Sequence, residues 1–237
     1  MPSLNDAVVL VTGANGGIGT ELVRVALERG AAKVYATART PRDWDDPRIV
    51  PLRLDVTDRS SIAAAVAAAQ DVTVVINNAG VLPPTASMLD LDERDLRQVM
   101  ESNFFAPVQV AQAFAPLLVA ARGTALVTIH SVASWLAYGG SYSASKAALW
   151  AATNAFRLEL APAGVLVTGV HVGYVDTRMA AHTDAAKTSP AAVAEMVLDG
   201  VEQDEYEVIA DDLSAHVKAN LGAPIEVLYP ELAHETP

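Results

Sequence analysis

Tyr142 and Lys146 stand four positions apart in Tyr142-Ser143-Ala144-Ser145-Lys146. On a helix, residues i and i+4 share a face, so a phenol and an ammonium at this spacing look into one space. A free phenol titrates near 10 and exchanges protons poorly at neutral pH, and a neighbouring cation favours the phenolate and brings that value down. Such a pair can give a proton to an oxygen that is passing between carbonyl and alcohol, or take one from it. That chemistry needs a hydride donor, a proton donor, and hydrogen bonds to the oxygen as charge develops on it. Ser131 lies 11 positions before Tyr142 and directly follows an apolar run, so its hydroxyl is a candidate for the last of these. Ser134 is a rival serine less well placed, and Tyr138 a rival phenol with no lysine four residues on. Tyr/Lys pairs at this spacing are common by chance, so the surrounding elements must carry the reading.

Short β-branched runs alternate with Ala/Leu-rich stretches of helical character. The runs are 7–12, 33–37, 50–54, 72–76, 124–129 and 165–171, with a weaker one at 207–209. Helices are expected at 18–29, 58–69, 92–121 with a break near Ser102, 142–161, 190–203 and 211–221. The runs are apolar throughout instead of alternating, which marks strands buried on both faces. Strands alternating with helices imply βαβ units, a parallel sheet, and a ligand crevice outside the carboxyl ends of the strands.

The first strand runs straight into Thr12-Gly13-Ala14-Asn15-Gly16-Gly17-Ile18-Gly19, and a helix follows. Gly13 lets the chain turn off the strand, while Gly17 and Gly19 let backbone approach a pyrophosphate and let the helix sit close to the sheet. The helix N-terminus offers N–H groups and a favourable dipole to that anion. The spacing is G-x-x-x-G-x-G. Arg39 lies 20 residues past Gly19, at the end of the second strand, where an acidic residue would hold a ribose 2′-hydroxyl and an arginine accommodates a 2′-phosphate. The favoured reading is NADP(H) over NAD(H), and the alternative is a surface Arg39 paired with Asp43, Asp45 or Asp46.

Taken together these motifs resemble the short-chain dehydrogenase/reductase family, in its compact single-domain branch, over nearly the whole chain. The resemblance implies an α/β fold of one doubly wound Rossmann-type domain over 1–237, with about seven parallel strands and helices on both faces. It implies an NADP-dependent carbonyl reductase or alcohol dehydrogenase with four catalytic residues. Tyr142 is the acid/base, Lys146 its partner and a ligand of the nicotinamide ribose, Ser131 the donor to the substrate oxygen, and Asn103 the holder of a water that links Lys146 to solvent. Cofactor contacts implied are Gly13, Asn15, Gly17, Ile18, Gly19, Arg39, the pair Asp55 and Val56, then Asn77, Ala79 and Gly80 of Asn77-Asn78-Ala79-Gly80, and Val175 with Thr177. A segment of about 178–203 is expected to cover the substrate, and Val81, Leu82, Val132, Trp135, Leu136, Tyr138, Tyr174 and Met179 are expected to line its pocket. Their apolar, aromatic character suits a hydrophobic or aryl carbonyl. Two departures stand out. The Ser131 to Tyr142 gap is a couple of residues short, and Val172 replaces the proline of the family's Pro-Gly turn. A cofactor-binding regulator of the same fold is the alternative. A sugar-nucleotide epimerase fits less well, because only about 60 residues follow Thr177.

Composition narrows the classes further. The 237 residues carry 16 Lys and Arg against 28 Asp and Glu, a formal charge of −12. An acidic chain is a poor ligand for nucleic acid or an anionic membrane. With no cysteine there is no disulfide, thiolate metal site or thiol nucleophile. His130, His171, His182, His216 and His234 show no metal-ligand spacing, and His130 is expected to be structural. The longest uninterrupted apolar runs, 63–69 and 113–121, fall short of the roughly 18 residues a span needs. No secretory leader is read at the N-terminus, so a cytoplasmic location is expected. The family resemblance also implies that helices 103–121 and 142–161 pair between subunits in a homodimer or homotetramer. The apolar tail 225–232 is expected to dock on the body or a neighbour.

Overall fold

The structure, a computed structural model, describes residues 2–233. His234 lies outside the described residues. Seven strands form one parallel sheet: β1 (Val8–Thr12), β2 (Lys33–Ala38), β3 (Ile49–Arg53), β4 (Val74–Asn77), β5 (Ala125–Ile129), β6 (Leu166–His171) and β7 (Glu207–Ile209). Their spatial order is β3-β2-β1-β4-β5-β6-β7. The chain runs outward from β1 to β3 and then returns to the other side of β1. That reversal leaves a crevice outside the ends of β1 and β4.

The strands alternate their side chains between two cores. Val9, Val11, Val34, Ala36, Ile76, Val127 and Val170 pack on α1 (Ile18–Glu28) and α6 (Pro190–Glu202). Leu10, Tyr35, Val75, Leu126 and Val167 pack on α2 (Arg59–Ala68) and α4 (Ala106–Ala120). The central strands are thus buried on both faces, as their apolar runs imply. β3 is not: it is an edge strand, with Pro51 and Arg53 exposed. Proline fits there because an edge does not need every N–H.

The long helical stretch breaks where its sequence does. Asp92 caps α3 (Glu93–Met100) by accepting from the Asp95 N–H at 2.8 Å. A π-helical turn, Glu101–Phe105, follows before α4 begins. Pro107 has no N–H to give the Asn103 carbonyl, which disfavours a regular α-turn at this point. The whole rod, Glu93–Ala120, has 28 residues and an 18-residue window of mean hydropathy 1.3, long and apolar enough to cross a membrane by those measures. Counting uninterrupted apolar runs missed this, because isolated glutamines and prolines break a run without much lowering its mean. In this fold Val110, Phe114 and Leu118 of the rod pack on the sheet. Two further helices, α5 (Ser141–Leu160) and α7 (Asp212–Ala219), flank β5 to β7, and a short α8 (Ile225–Leu228) opens the tail.

Candidate active site

The glycine turn is braced from both sides. The Thr12 hydroxyl donates to the Ile76 carbonyl at 3.3 Å and accepts from the Asn78 and Ala79 N–H groups at 2.9 and 3.0 Å. Asn78 Nδ2 donates to the Thr12 and Gly13 carbonyls at 2.8 and 3.4 Å. A Cβ on Gly19 would stand 2.2 Å from the Gly13 oxygen, so only glycine permits this approach of helix to turn. Gly17 has φ +54° and precedes α1 with no side chain capping the helix N-terminus. A Cβ at Gly17 would meet Thr177 Cγ2 at 3.0 Å, so Thr177 faces the turn. This concave, side-chain-free backbone with uncapped helix N–H groups fits a diphosphate.

Arg39 is exposed at the end of β2, and among the described residues no carboxylate oxygen lies within 4.0 Å of its guanidinium. Asp46 pairs with Arg48 at 2.7 Å instead. Asp55 is a turn-former: its carboxylate accepts from the Thr57 hydroxyl and N–H at 2.7 and 3.0 Å, and these bonds, helped by the field of Arg39, hold it below the usual carboxylate range. Val56 packs on the second core. Asn15 donates to the Thr40 carbonyl at 2.7 Å, tying the glycine turn to the chain after β2.

Asn77 is not on the crevice. Its buried side chain donates to the Pro107 carbonyl at 3.0 Å, and the neighbouring Asn78 is the asparagine that faces the glycine turn. Gly80 keeps space open: a Cβ there would come within 3.3 Å of Asn103 Oδ1 and 3.9 Å of Lys146 Nζ. Asn103, buried in the π-turn, clasps the loop after β4. Its Oδ1 accepts from the Val81 N–H at 2.8 Å, and its Nδ2 donates to the Val81 carbonyl at 2.9 Å and to Ser145 Oγ at 3.2 Å.

Lys146 is buried, donates to the Ile129 carbonyl at 2.8 Å, and is pushed down to about 8 by burial. Its Nζ lies 5.7 Å from the Tyr142 ring centroid. The Tyr142 phenol is pushed up to about 12 by burial, and the Ser131 hydroxyl hydrogen bond pulls the other way. The expectation that the ammonium lowers this phenol is therefore not met in this geometry. Desolvation outweighs everything else, and the group that opposes it is Ser131. The four residues do converge at the ends of β4 and β5, beside the glycine turn.

The helix carrying Tyr142 depends on Gly140, which the sequence reading passed over. Gly140 has φ +56°, and a Cβ there would collide with the Ala86 carbonyl at 2.2 Å. The Gly139-Gly140 pair just ahead of a helical stretch was the available signal.

The expected substrate wall divides. Val132 and Trp135 are buried with Val217, and Leu136 packs against them. The Trp135 ring lies flat on His171 at 3.8 Å, so it fills a small third core and does not line a pocket. Tyr138 is 56% exposed, with its hydroxyl 3.1 Å from Glu231 Oε2 and its ring 5.4 Å from that of Tyr229. The tail thus docks on the body, and the Tyr229 hydroxyl accepts from the Ala137 N–H at 2.9 Å. Leu82, Tyr174 and Met179 are exposed. Val175 is buried, and its carbonyl accepts from Thr177 N–H at 2.7 Å. Of the expected covering segment, 190–202 is α6, whose Val193, Val197 and Leu198 fill the first core; 178–189 remains on the surface side. His130 is fully buried and held neutral by that burial.

A model of the short chain dehydrogenase family matches residues 7–188. A short-chain dehydrogenase of Penicillium crustosum is 45% identical over 189 residues, 71% of this chain and 66% of that protein. An NADPH-dependent 1-acyldihydroxyacetone phosphate reductase of Schizosaccharomyces pombe is 38% identical over 182 residues, 72% of this chain and 60% of that protein. The chain thus spans less than two thirds of the length of these curated relatives. Among solved structures, a short chain dehydrogenase from Burkholderia cenocepacia in complex with NADP aligns with TM-score 0.90 at 34% identity, covering 98% of this chain and 100% of that one. With the family model spanning the sheet from β1 through β6 and the glycine turn and Tyr142–Lys146 helix inside that match, the chain belongs to the short-chain dehydrogenase family of oxidoreductases.

Proposed function

We propose that this chain transfers hydride between NADP(H) and a ketone or aldehyde, or the matching secondary alcohol, with a hydrophobic or aryl substrate. The observation that carries the reading is the convergence of Ser131, Tyr142, Lys146 and Asn103 beside a glycine cradle that a Cβ would fill. Gly13, Gly17, Ile18 and Gly19 would hold the diphosphate, Arg39 the 2′-phosphate, and Val175 and Thr177 the nicotinamide end. When bound, the dinucleotide supplies the hydride. Kinship with an NADPH-dependent reductase and with an NADP-bound structure supports the choice of NADP, as does the absence of any carboxylate oxygen within 4.0 Å of the Arg39 guanidinium among the described residues.

The protein's own part is the proton and the oxygen. Tyr142 gives its phenolic proton to the carbonyl oxygen as that oxygen becomes an alkoxide. Ser131 donates a hydrogen bond to the same oxygen and stabilises its charge. A phenol held near 12 is a protonated donor at neutral pH, which suits reduction. Lys146, with a value near 8, is charged at pH 7 and lies 5.7 Å from the Tyr142 ring centroid, where it would serve as a ligand of the nicotinamide ribose. Asn103 fixes the loop after β4 through Val81, and by the family resemblance it would hold a water leading to Lys146. Exposed Leu82, Tyr174 and Met179 favour bulky apolar carbonyls over small keto acids. Leu158 is 79% exposed on α5 and Val119 is exposed on α4, which supports a homodimer or homotetramer joined through these helices.

The test is NADPH consumption with a panel of aryl, alkyl and charged carbonyls, beside Tyr142→Phe. The expected result is wild-type turnover with a kcat about a thousandfold lower in the variant, while NADPH still binds. Unaltered turnover in the variant would overturn the assignment.

A further inference from the structure

Under the Ser131 loop lies a column of rings for which the proposed reaction has no use. His130 follows β5 and His171 ends β6, and their rings stack at 4.9 Å. Trp135 lies flat on His171 at 3.8 Å with an interplanar angle of 11°, and Trp150 of α5 meets Trp135 edge-on at 6.0 Å. His171 is completely buried, so packing fixes its plane. Its Nδ1 is 3.3 Å from the backbone oxygen of Ser131. Its Nε2 is 3.4 Å from Glu207 Oε1 on β7, and the other oxygen of Glu207 is paired with Lys218 of α7.

The chemistry of the two neighbours decides the tautomer. A backbone carbonyl only accepts, so the contact at Nδ1 is a hydrogen bond only when Nδ1 carries the proton. Nε2 has no aligned hydrogen-bond partner among the described residues, despite its nearness to Glu207. The Nδ1–H form is therefore the one that makes a bond. The ring stays neutral: burial, with Lys218, Arg157 and Lys146 adding to the same direction, pushes it down to about 3. Glu207 faces it with a charge that Lys218 already answers, and His130 beside it is neutral too. The Ser131 oxygen also accepts from the Ser134 N–H at 2.9 Å, and the flanking His130 and Val132 N–H groups donate to Val170 and Val172 at 2.8 and 2.9 Å. His171 thus supplies the only side-chain hydrogen bond to the Ser131 carbonyl among the described residues.

We infer that neutral His171, as its Nδ1–H tautomer, is a positioning residue that orients the Ser131 peptide and so aims the serine hydroxyl at the reacting oxygen. The inference rests on the role proposed above for Ser131. Two variants separate positioning from bulk structure. In His171→Asn the amide N–H falls near the Nδ1 position. In His171→Gln it falls near the Nε2 position. Both remove the ring, so a packing role alone would affect them alike. The expected result is that His171→Asn keeps kcat within about threefold of wild type, while His171→Gln loses about tenfold, with KM for NADPH unchanged in both. Equal losses, or the reverse order, would overturn the inference. A readout independent of turnover is long-range proton–nitrogen NMR of the full chain at pH 7. An Nδ1-protonated His171 supports the inference and an Nε2-protonated one refutes it. Absence of turnover in the wild type would count against the proposed function alone, and the NMR result would still decide this point.

Discussion

The crevice has two walls built by different means. On the side proposed for the cofactor, the turn after β1 and the end of β4 are joined by Thr12 and Asn78 through bonds to backbone, and Gly19 sits where any Cβ would collide. That wall is made almost wholly of main chain. On the facing side, the loop after Ser131 is held by side chains from far away in sequence. Tyr229 caps the Ala137 N–H, Glu231 takes the Tyr138 hydroxyl, and His171 reaches the Ser131 carbonyl. A main-chain wall presents the same surface whatever the neighbouring side chains are, which suits a fixed diphosphate. A wall assembled from distant side chains can be reshaped by single substitutions, which suits a variable substrate.

The contrast can be broken most sharply at Gly19. Gly19→Ala forces a methyl to within 2.2 Å of the Gly13 oxygen unless the helix moves, so we expect a cost of about 3 kcal/mol in stability. NADPH affinity should fall at least about thirtyfold, as measured by thermal melts and fluorescence titration. A variant with normal affinity would show that the wall is more pliable than its contacts imply. Next, Arg39→Ala should weaken NADPH binding by roughly 10- to 100-fold, the loss expected for a charged hydrogen bond, and leave NADH nearly untouched. Equal weakening of both would remove Arg39 from the 2′-phosphate.

At the seam between the walls lies Lys146, whose folded value near 8 is below its free value of 10.5. Between those limits the unfolded chain binds the proton more tightly, so stability rises with pH. The Tyr142 phenol, raised from 10 to about 12, acts in the opposite sense above pH 10. Urea denaturation from pH 8 to 10 should therefore show stability rising by about 2 kcal/mol more in the wild type than in Lys146→Met. Parallel profiles would contradict the burial of a charged lysine. The smallest effect is expected on the far wall. Tyr229→Phe deletes one acceptor for the Ala137 N–H and should raise KM for a bulky carbonyl about threefold while NADPH binding stays constant.

The same division explains what could be read from the chain itself. The main-chain wall was legible because its instructions are local. A run of β-branched residues, a glycine spacing and a helix start all fall within 8–19, and the break expected near Ser102 is the π-turn that seats Asn103. Two neighbouring asparagines defeated that reading, because successive residues at a strand end point opposite ways and nothing local tells which of Asn77 and Asn78 faces the crevice. From the sequence alone Trp135 belongs on the substrate wall, because an aromatic next to Ser131 looks available. The ring that claims it, His171, arrives only after another strand and helix. Tyr138 likewise meets a partner 93 residues away. The phenol's upward shift was missed because its cause is the burial of the ring, which spacing along a helix does not report.

One feature sets a length as well as a shape. In the π-turn Glu101–Phe105 the Ala106 N–H reaches back to the Glu101 carbonyl, spending one residue more than an α-turn would. Were the extra residue wound into ordinary α-helix instead, everything before it would rotate by about 100° and be pushed out by about 1.5 Å. Val99, the one fully buried residue of α3, would then swing away from the core. The wide turn absorbs one residue and so keeps the two helices in phase, and this stretch should tolerate substitution at its exposed positions far better than the insertion of a further residue.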